Sequence, residues 1–495
     1  RMLFARFLAE NHLLIEPDTG VAISLEDCQE LAREKKTDWV ELACRFAEGM
    51  LPQIFRKGDP VLELTLPPEN RTRLEKILKD LSKEIFVASD SLGWVYQFWQ
   101  AEKKDKVNES GNKIGADELP AVTQLFTEDY MVDFLLDNTL GAWWAGKVLA
   151  AKPKLSETAK DEDELREAVS LPNVPWSYLR FVKGKVAKWM PAAGTFEGWP
   201  KTARELTCLD PCMGSGHFLV AMFQRVVAMR MAEEKLPEKA ATEAVIRDNL
   251  FGLEIDSRCT QIAAFNLALA AWRRVGHCPL PAMHLACSGL GVVAKKEDWL
   301  ALAQKDSKLR AGMERLYDLF QKAPVLGSLI NPHSGEADLL VAEFHELRPL
   351  LEKALTQETK DDVSREMAVT AQGVAKAAEI LSKRFTLVAT NVPYLGRIKQ
   401  EKTLRDYCDL RFPKSNADLA TCFVERCWEF AAPSQSIAIV SPQNWLFLTS
   451  YKQFREVLLD RDQALLAKVG LELGPVEHLG DPLGGVVAGA EAERA

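Results

Sequence analysis

The run Leu206-Thr207-Cys208-Leu209-Asp210-Pro211-Cys212-Met213-Gly214-Ser215-Gly216-His217-Phe218 constrains this chain more than any other. A short apolar stretch ends in an aspartate, breaks at a glycine turn and opens into a helical pattern from Phe218 to Met231. The unit then recurs. Asn249 to Ile255 reads as a strand followed by a helix from about Ser257 to Val275, and His284 to Cys287 is a third short strand. Phe385 to Thr390 resumes the pattern and ends at Asn391, and a helix from Ala417 to Phe430 leads into Ser436 to Val440. Strands alternating with helices of about 15 residues call for parallel β-α-β units. The predicted class is α/β, a doubly wound Rossmann-like sheet.

Around that sheet the pattern divides the chain. Residues 1–118 read as a helical N-terminal domain, with helices over Leu25 to Ala47 and Arg71 to Ile85 and an aromatic run from Leu92 to Trp99. Its end, 101–118, is charged and lacks an apolar period, which marks a linker or exposed loop. Residues 119–293 form the first part of the core. Thr127 is a plausible N-cap there for a helix with Met131, Phe134, Leu135 and Leu140 on one face. A helical insertion is expected over 294–384, in segments Trp299 to Phe320, Ala337 to Leu355 and Asp361 to Arg384. The second part of the core spans 385–473, and the Gly-, Ala- and Glu-rich stretch 474–495 reads as a disordered or truncated tail.

Composition narrows the function classes. With 495 residues, 47% hydrophobic and 27% charged, the chain can bury sizeable cores. It has no charge-free run of 18 apolar residues and no signal-peptide pattern at Arg1-Met2-Leu3-Phe4, so it reads as cytoplasmic with no membrane partner. The ten cysteines include no CxxC pair, which points to buried reduced thiols and no metal site. A net charge of −9 argues mildly against nucleic acid as a whole-chain partner. Locally the sign reverses. Residues 397–414 carry Arg397, Lys399, Lys402, Arg405, Arg411 and Lys414 against three acids, directly after Asn391-Val392-Pro393-Tyr394.

Three places carry chemistry. Gly214 and Gly216, with Pro211 and Ser215 around them, let the backbone turn sharply and approach a ligand, and the next helix offers free amide donors. Asp210 lies at the carboxyl end of its strand, where open α/β sheets bind ligands. Glu254 ends the following strand, where an acidic residue can accept both hydroxyls of a ribose, and Ile255 can pack on an adenine face. The spacing lacks GxGxxG, which disfavours NAD. Far downstream, Asn391-Val392-Pro393-Tyr394 places an amide acceptor, a fixed φ and an aromatic face together. That set suits a flat base carrying an exocyclic amine.

At these residues the chain resembles the gamma-type N6-adenine DNA methyltransferases, and among them the large adenine methylases of the BREX and DISARM phage-defence systems. Thr123-Gln124-Leu125-Phe126-Thr127 is similar to motif X, Asp210 to Phe218 to motif I, Phe251 to Asp256 to motif II, and Asn391 to Tyr394 to the catalytic motif IV. Asp418-Leu419-Ala420 with Phe423, and Ser441 to Phe447, are similar to the helix and strand that follow. The resemblance implies a methyltransferase sheet with S-adenosylmethionine as cofactor. Phe126 and Thr127 would lie near its methionine end, Asp210, Pro211, Gly214, Ser215, Gly216 and Phe218 around it, and Glu254 and Ile255 at its adenosine. It implies that Asn391 and the Val392 carbonyl receive the adenine amine while Tyr394 stacks on the base. Double-stranded DNA is the implied partner, contacted by Arg397, Lys399, Lys402 and Arg405, with other proteins of a defence system beside it.

The pattern departs from the family in three respects. Val392 stands where the tetrapeptide usually has proline, leaving the carbonyl in place. Ser288 stands nearest to the acidic residue that commonly holds the cofactor's adenine amine. A target-recognition domain normally follows the last motifs, which leaves three expectations: the chain is a fragment, the rest is disordered, or a partner reads the sequence. Two other readings stay open: a protein-glutamine or other N-methyltransferase, and a cofactor-binding subunit without catalysis.

Overall fold

The computed structural model describes residues 2–51, 66–88, 90–123, 127–184, 188–196, 198–303, 307–332, 362–460, 464–467 and 484–490. Nine strands occur among them. β1 (Phe181–Lys183) and β2 (Trp189–Pro191) form a small antiparallel hairpin. The other seven are β3 (Cys208–Asp210), β4 (Leu250–Glu254), β5 (His284–Cys287), β6 (Phe385–Asn391), β7 (Ala431–Pro442), β8 (Ala464–Ala467) and β9 (Gly484–Ala490), in the order β5-β4-β3-β6-β7-β9-β8. β3 to β7 are mutually parallel, and β9 runs antiparallel to both its neighbours. The parallel part, β3 to β7, is the doubly wound sheet that the recurring strand-turn-helix units implied.

Alternation along each strand builds two cores. Cys208, Leu387, Ala389, Ala438 and Val440 face one side, while Leu209, Val388, Ile437 and Ile439 face the other. On the first side lie the N-terminal helices, with Phe4 edge-on to Phe265 at 4.7 Å, and the helices His217–Glu234 and Ser257–Val275. On the second lie the helices Ser307–Phe320, Asp362–Ser382 and Leu419–Phe430. The expected N-terminal domain therefore shares its core with the sheet. The expected insertion ends in Asp362–Ser382, the helix that crosses over from β5 to β6.

Several local expectations change. The stretch 25–47 divides into helices Leu25–Lys35 and Trp39–Met50, because Lys36 takes a left-handed conformation that ends the first. The presumed linker is helical to Ser110: Ser91–Ser110 is one helix, rich in strong helix formers, with a Glu102–Lys106 pair one turn apart and Gly111 ending it in the left-handed region. Glu128, and not Thr127, precedes the helix Asp129–Leu136, since the Thr127 hydroxyl is engaged elsewhere. Within the expected tail, Gly484–Ala490 pairs with both β7 and β8, its central Val486-Val487 being β-branched. The segment Ala337 to Leu355 lies outside the described residues.

Candidate active site

Parallel register aligns the carboxyl ends of the strands. Asp210 of β3 pairs opposite Gly252 two residues before Glu254 of β4, and Asn391 ends β6 on the other side of β3. The chain leaves β3 towards β4 and β5, then returns to β6. The order therefore reverses between β3 and β6, and ligands of open α/β sheets bind at such a crevice. Two clefts meet there, separated by the Asn391–Tyr394 loop.

The inner cleft holds roughly 930 Å3 of empty space, counting its solvent-open mouth. The glycine turn forms its floor. Gly214 and Gly216 have φ of +51° and +90°, values that L side chains rarely adopt, and Gly216 approaches Ala263 so closely that a Cβ would lie 3.0 Å away. The Gly214 amide donates to Glu254 Oε2 at 2.8 Å, and Asp256 N donates to Oε1 at 3.1 Å. Asp210 Oδ1 accepts from Cys212 N at 3.1 Å. Pro211, Ser215, Phe218, Glu254, Ile255 and Thr127 all line this space, as do Asn391, Val392 and Pro393. Phe126 lies outside the described residues. Gly216 shapes the turn from behind, and Ser288 is buried behind the wall, its hydroxyl 3.0 Å from that of Ser328. Ser328, within the segment Val325–Leu329, reaches the cleft in its place.

Electrostatics give the cleft its character. Burial raises Asp210 and Glu254 each to about 7; the charge of Glu254 adds to the rise at Asp210, and that of Asp256 to the rise at Glu254. Hydrogen bonds from Cys212 N, and from Asp256 N and Gly214 N, work the opposite way. A third carboxylate comes from the N-terminal helices. Asp90, itself left-handed at φ +43°, caps the helix Ser91–Ser110 and accepts from Ser215 Oγ at 2.7 Å and Asn266 Nδ2 at 2.8 Å. Burial raises its carboxyl too. Among the described residues lining the inner cleft, three are carboxylates and none is Lys or Arg. Such a lining suits a ligand that donates hydrogen bonds and carries positive charge, and it disfavours a pyrophosphate.

The loop after β6 is held on both sides. Asn391 Nδ2 donates to Thr127 Oγ1 at 2.9 Å, while Tyr394 OH donates to Asn391 Oδ1 at 2.7 Å. Val392 is buried in the second core. Leu395 N donates to Asp418 Oδ1 at 3.3 Å, and Leu419 N returns a bond to the Leu395 carbonyl at 3.0 Å. The segment Asp418–Ala420 thus braces the loop. Burial raises the Tyr394 phenol well above its usual range.

The outer cleft lies beyond Tyr394, which lines it with Arg397, Ile398, Lys399, Lys104 and Asn444. Arg397 is clamped by Asp409 through two bonds of 2.8 and 2.5 Å. Lys402 and Arg405 stand on the helix Lys402–Arg411 and line neither cleft. Sequence reasoning missed Asp90, whose Asp-Ser start is an ordinary helix-cap signal, and the Val325–Leu329 wall, which carries no motif.

Residues 248–465 match the Eco57I restriction-modification methylase family. The match covers β4 to β7 and the loop that separates the two clefts. Curated relatives extend the likeness upstream. The chain is 27% identical over 414 residues to the adenine-specific methyltransferase PglX of Lacticaseibacillus casei (strain Zhang), covering 82% of this chain and 33% of that protein. It is 28% identical over 452 residues to the adenine-specific methyltransferase BrxX of Escherichia coli O9:H4 (strain HS), covering 84% of this chain and 34% of that protein. The chain thus spans about a third of the length of these relatives. Among solved structures, the Type ISP restriction-modification enzyme LlaBIII bound to DNA aligns with 99% of this chain and 27% of its own at TM-score 0.40 and 12% identity, too loose a likeness to carry residue roles across.

Proposed function

We propose that the chain is the catalytic part of a site-specific DNA adenine-N6 methyltransferase that marks host DNA in a phage-defence system. S-adenosylmethionine would bind in the inner cleft and a flipped-out adenine in the outer one. The observation that carries this reading is the Asn391–Tyr394 loop, which walls a carboxylate-lined cleft on one side and a cation-flanked cleft on the other.

The inner cleft fits the cofactor by chemistry. S-adenosylmethionine carries a sulfonium and an ammonium and supplies the methyl group. Among the described residues, the lining offers three carboxylates and neither Lys nor Arg to meet it. Glu254 would accept from the ribose hydroxyls, exchanging its present bond to Gly214 N, and Ile255 would face the adenine. Asp210 and Asp90 would serve the methionine end, with Thr127 beside them.

On the other side, Asn391 Oδ1 and the Val392 carbonyl would accept from one amine, drawing electron density onto its nitrogen. Pro393 keeps the loop in shape before substrate arrives. Tyr394 now supplies the donor that Asn391 Oδ1 would take from the adenine amine. Base entry would break that bond and free the ring for stacking. Extruding a base takes a few kcal/mol, which stacking offsets in part. The remaining acceleration would rest on positioning and on the two acceptors. The cations near the outer cleft favour a polyanion over a protein loop as the substrate. Sequencing modified bases in cells with the gene, without it and with Asn391→Ala tests the reading. N6-methyladenine should appear at a defined sequence only with the unaltered gene, and its absence in all three would refute it.

A further inference from the structure

A single exposed apolar side chain is ordinary on a protein surface, but three observations set Ile398 apart. It is 81% exposed, between Arg397 and Lys399 and only four residues from Tyr394 in the same cleft. Its backbone is nevertheless fixed. Arg397–Lys399 is a 3-10 turn with Lys399 N bonded to the Gly396 carbonyl at 2.9 Å, and the Ile398 carbonyl accepts from Lys113 Nζ. Bonds from Ile114 N to Lys399 O at 2.8 Å and from Glu401 N to Ile114 O at 3.1 Å tie the turn to a distant segment. A bulky β-branched side chain is therefore held exposed in the lining of the outer cleft, with basic side chains on either side of it in the sequence.

We propose that Ile398 is a wedge that enters the base stack of duplex DNA and occupies the space vacated by the flipped adenine. This rests on the adenine-methyltransferase reading above. Apolar wedges between base steps unstack and kink duplexes in other proteins. The turn supplies what a wedge needs: a rigid backbone, an apolar tip and, in Lys399, an adjacent cation to hold a phosphate. No bond forms or breaks in this step. Ile398 acts through the position of the base and is a positioning residue, separate from the groups that receive the amine.

The test compares the protein with its Ile398→Ala and Ile398→Leu variants on two synthetic duplexes containing the methylated sequence mapped from cells. In one the target adenine is paired with thymine; in the other it faces an abasic site. Because Ile398 lies outside both cores, Ile398→Ala should fold normally, with an unchanged melting temperature and cofactor Kd. On the paired duplex its single-turnover rate should fall about tenfold or more, since unstacking takes a few kcal/mol. On the abasic duplex, where the base is already loosened, it should return to within about twofold of the unaltered protein, and Ile398→Leu should stay near it on both. A 2-aminopurine at the target should brighten on binding to the unaltered protein and remain dim with Ile398→Ala. Equal rates on the paired duplex, or the same loss on both duplexes, would overturn the wedge alone. Failure of the unaltered protein to methylate either duplex would overturn the underlying function as well.

Discussion

Asn391 donates its amide N–H to the hydroxyl of Thr127 at 2.9 Å, across 264 residues of chain. The bond fixes the orientation of the amide. With Nδ2 committed to Thr127, Oδ1 is the end turned towards Tyr394. Thr127→Val preserves shape but removes the acceptor, so the amide can turn over and present a donor to a donor. The expected result is a roughly fivefold fall in kcat, in line with loss of one hydrogen bond of about 1 kcal/mol. KM for DNA should change little and Thr127→Ser should recover most of the rate. A fall in KM and kcat together, unrecovered by serine, would assign Thr127 a different role.

That bond was not legible in the sequence, and the reason is physical. The strand-end positions of Asp210, Glu254 and Asn391 follow from apolar runs broken by turns, so local pattern placed them correctly. Thr127 read as a helix cap, because a threonine before an amphipathic run usually is one; only the fold brings it to β6. Asp90 was hidden for the same cause, its partners Ser215 and Asn266 being 125 and 176 residues away. The cations of residues 397–414 read as one patch from spacing alone. The backbone divides them, leaving Arg397 and Lys399 at the cleft and placing Lys402 on the following helix.

Asp210 and Glu254 make a pH prediction. Their ordinary values are 3.8 and 4.5, and burial raises both to about 7. A carboxyl raised on folding stabilises the protein fully below its unfolded value and ceases to do so as pH rises through its folded one. The unliganded protein should therefore lose stability between about pH 4 and 7 and level off above that. Asp210→Asn should raise the melting temperature at pH 8 by about 2–5 °C, yet weaken S-adenosylmethionine binding in calorimetry. A lower melting temperature for this variant would contradict the assignment of burial as the dominant cause.

Gly289 packs against the backbone of Ile255, the residue proposed to face the cofactor's adenine. A Cβ there would lie 2.1 Å from the Ile255 carbonyl oxygen, closer than any side chain tolerates, so Gly289→Ala must displace the end of β4. The expected effect is a loss of about 2 kcal/mol or more in denaturant titration, comparable to overpacking a core, with weaker cofactor binding. Unchanged stability would mean that the β4 and β5 ends yield more easily than their packing indicates.

The cations near the outer cleft should differ in weight. Lys399→Ala should weaken DNA binding at every sequence and lower the salt slope of log K by about 1. Arg397→Ala should have the smaller effect, because Asp409 already neutralises that guanidinium. Fluorescence anisotropy at several salt concentrations gives both slopes, and equal slopes would count against the pairing as the controlling feature.

The central claim is that one loop receives an adenine amine from duplex DNA. Its most direct measurement is mass spectrometry of nucleosides after incubating the protein with S-adenosylmethionine and unmethylated bacterial DNA. The account predicts N6-methyldeoxyadenosine from the unaltered protein, and none from Asn391→Ala, whose melting temperature should stay close to that of the parent. Equal yields from both proteins, or methylation of protein in place of DNA, would contradict it.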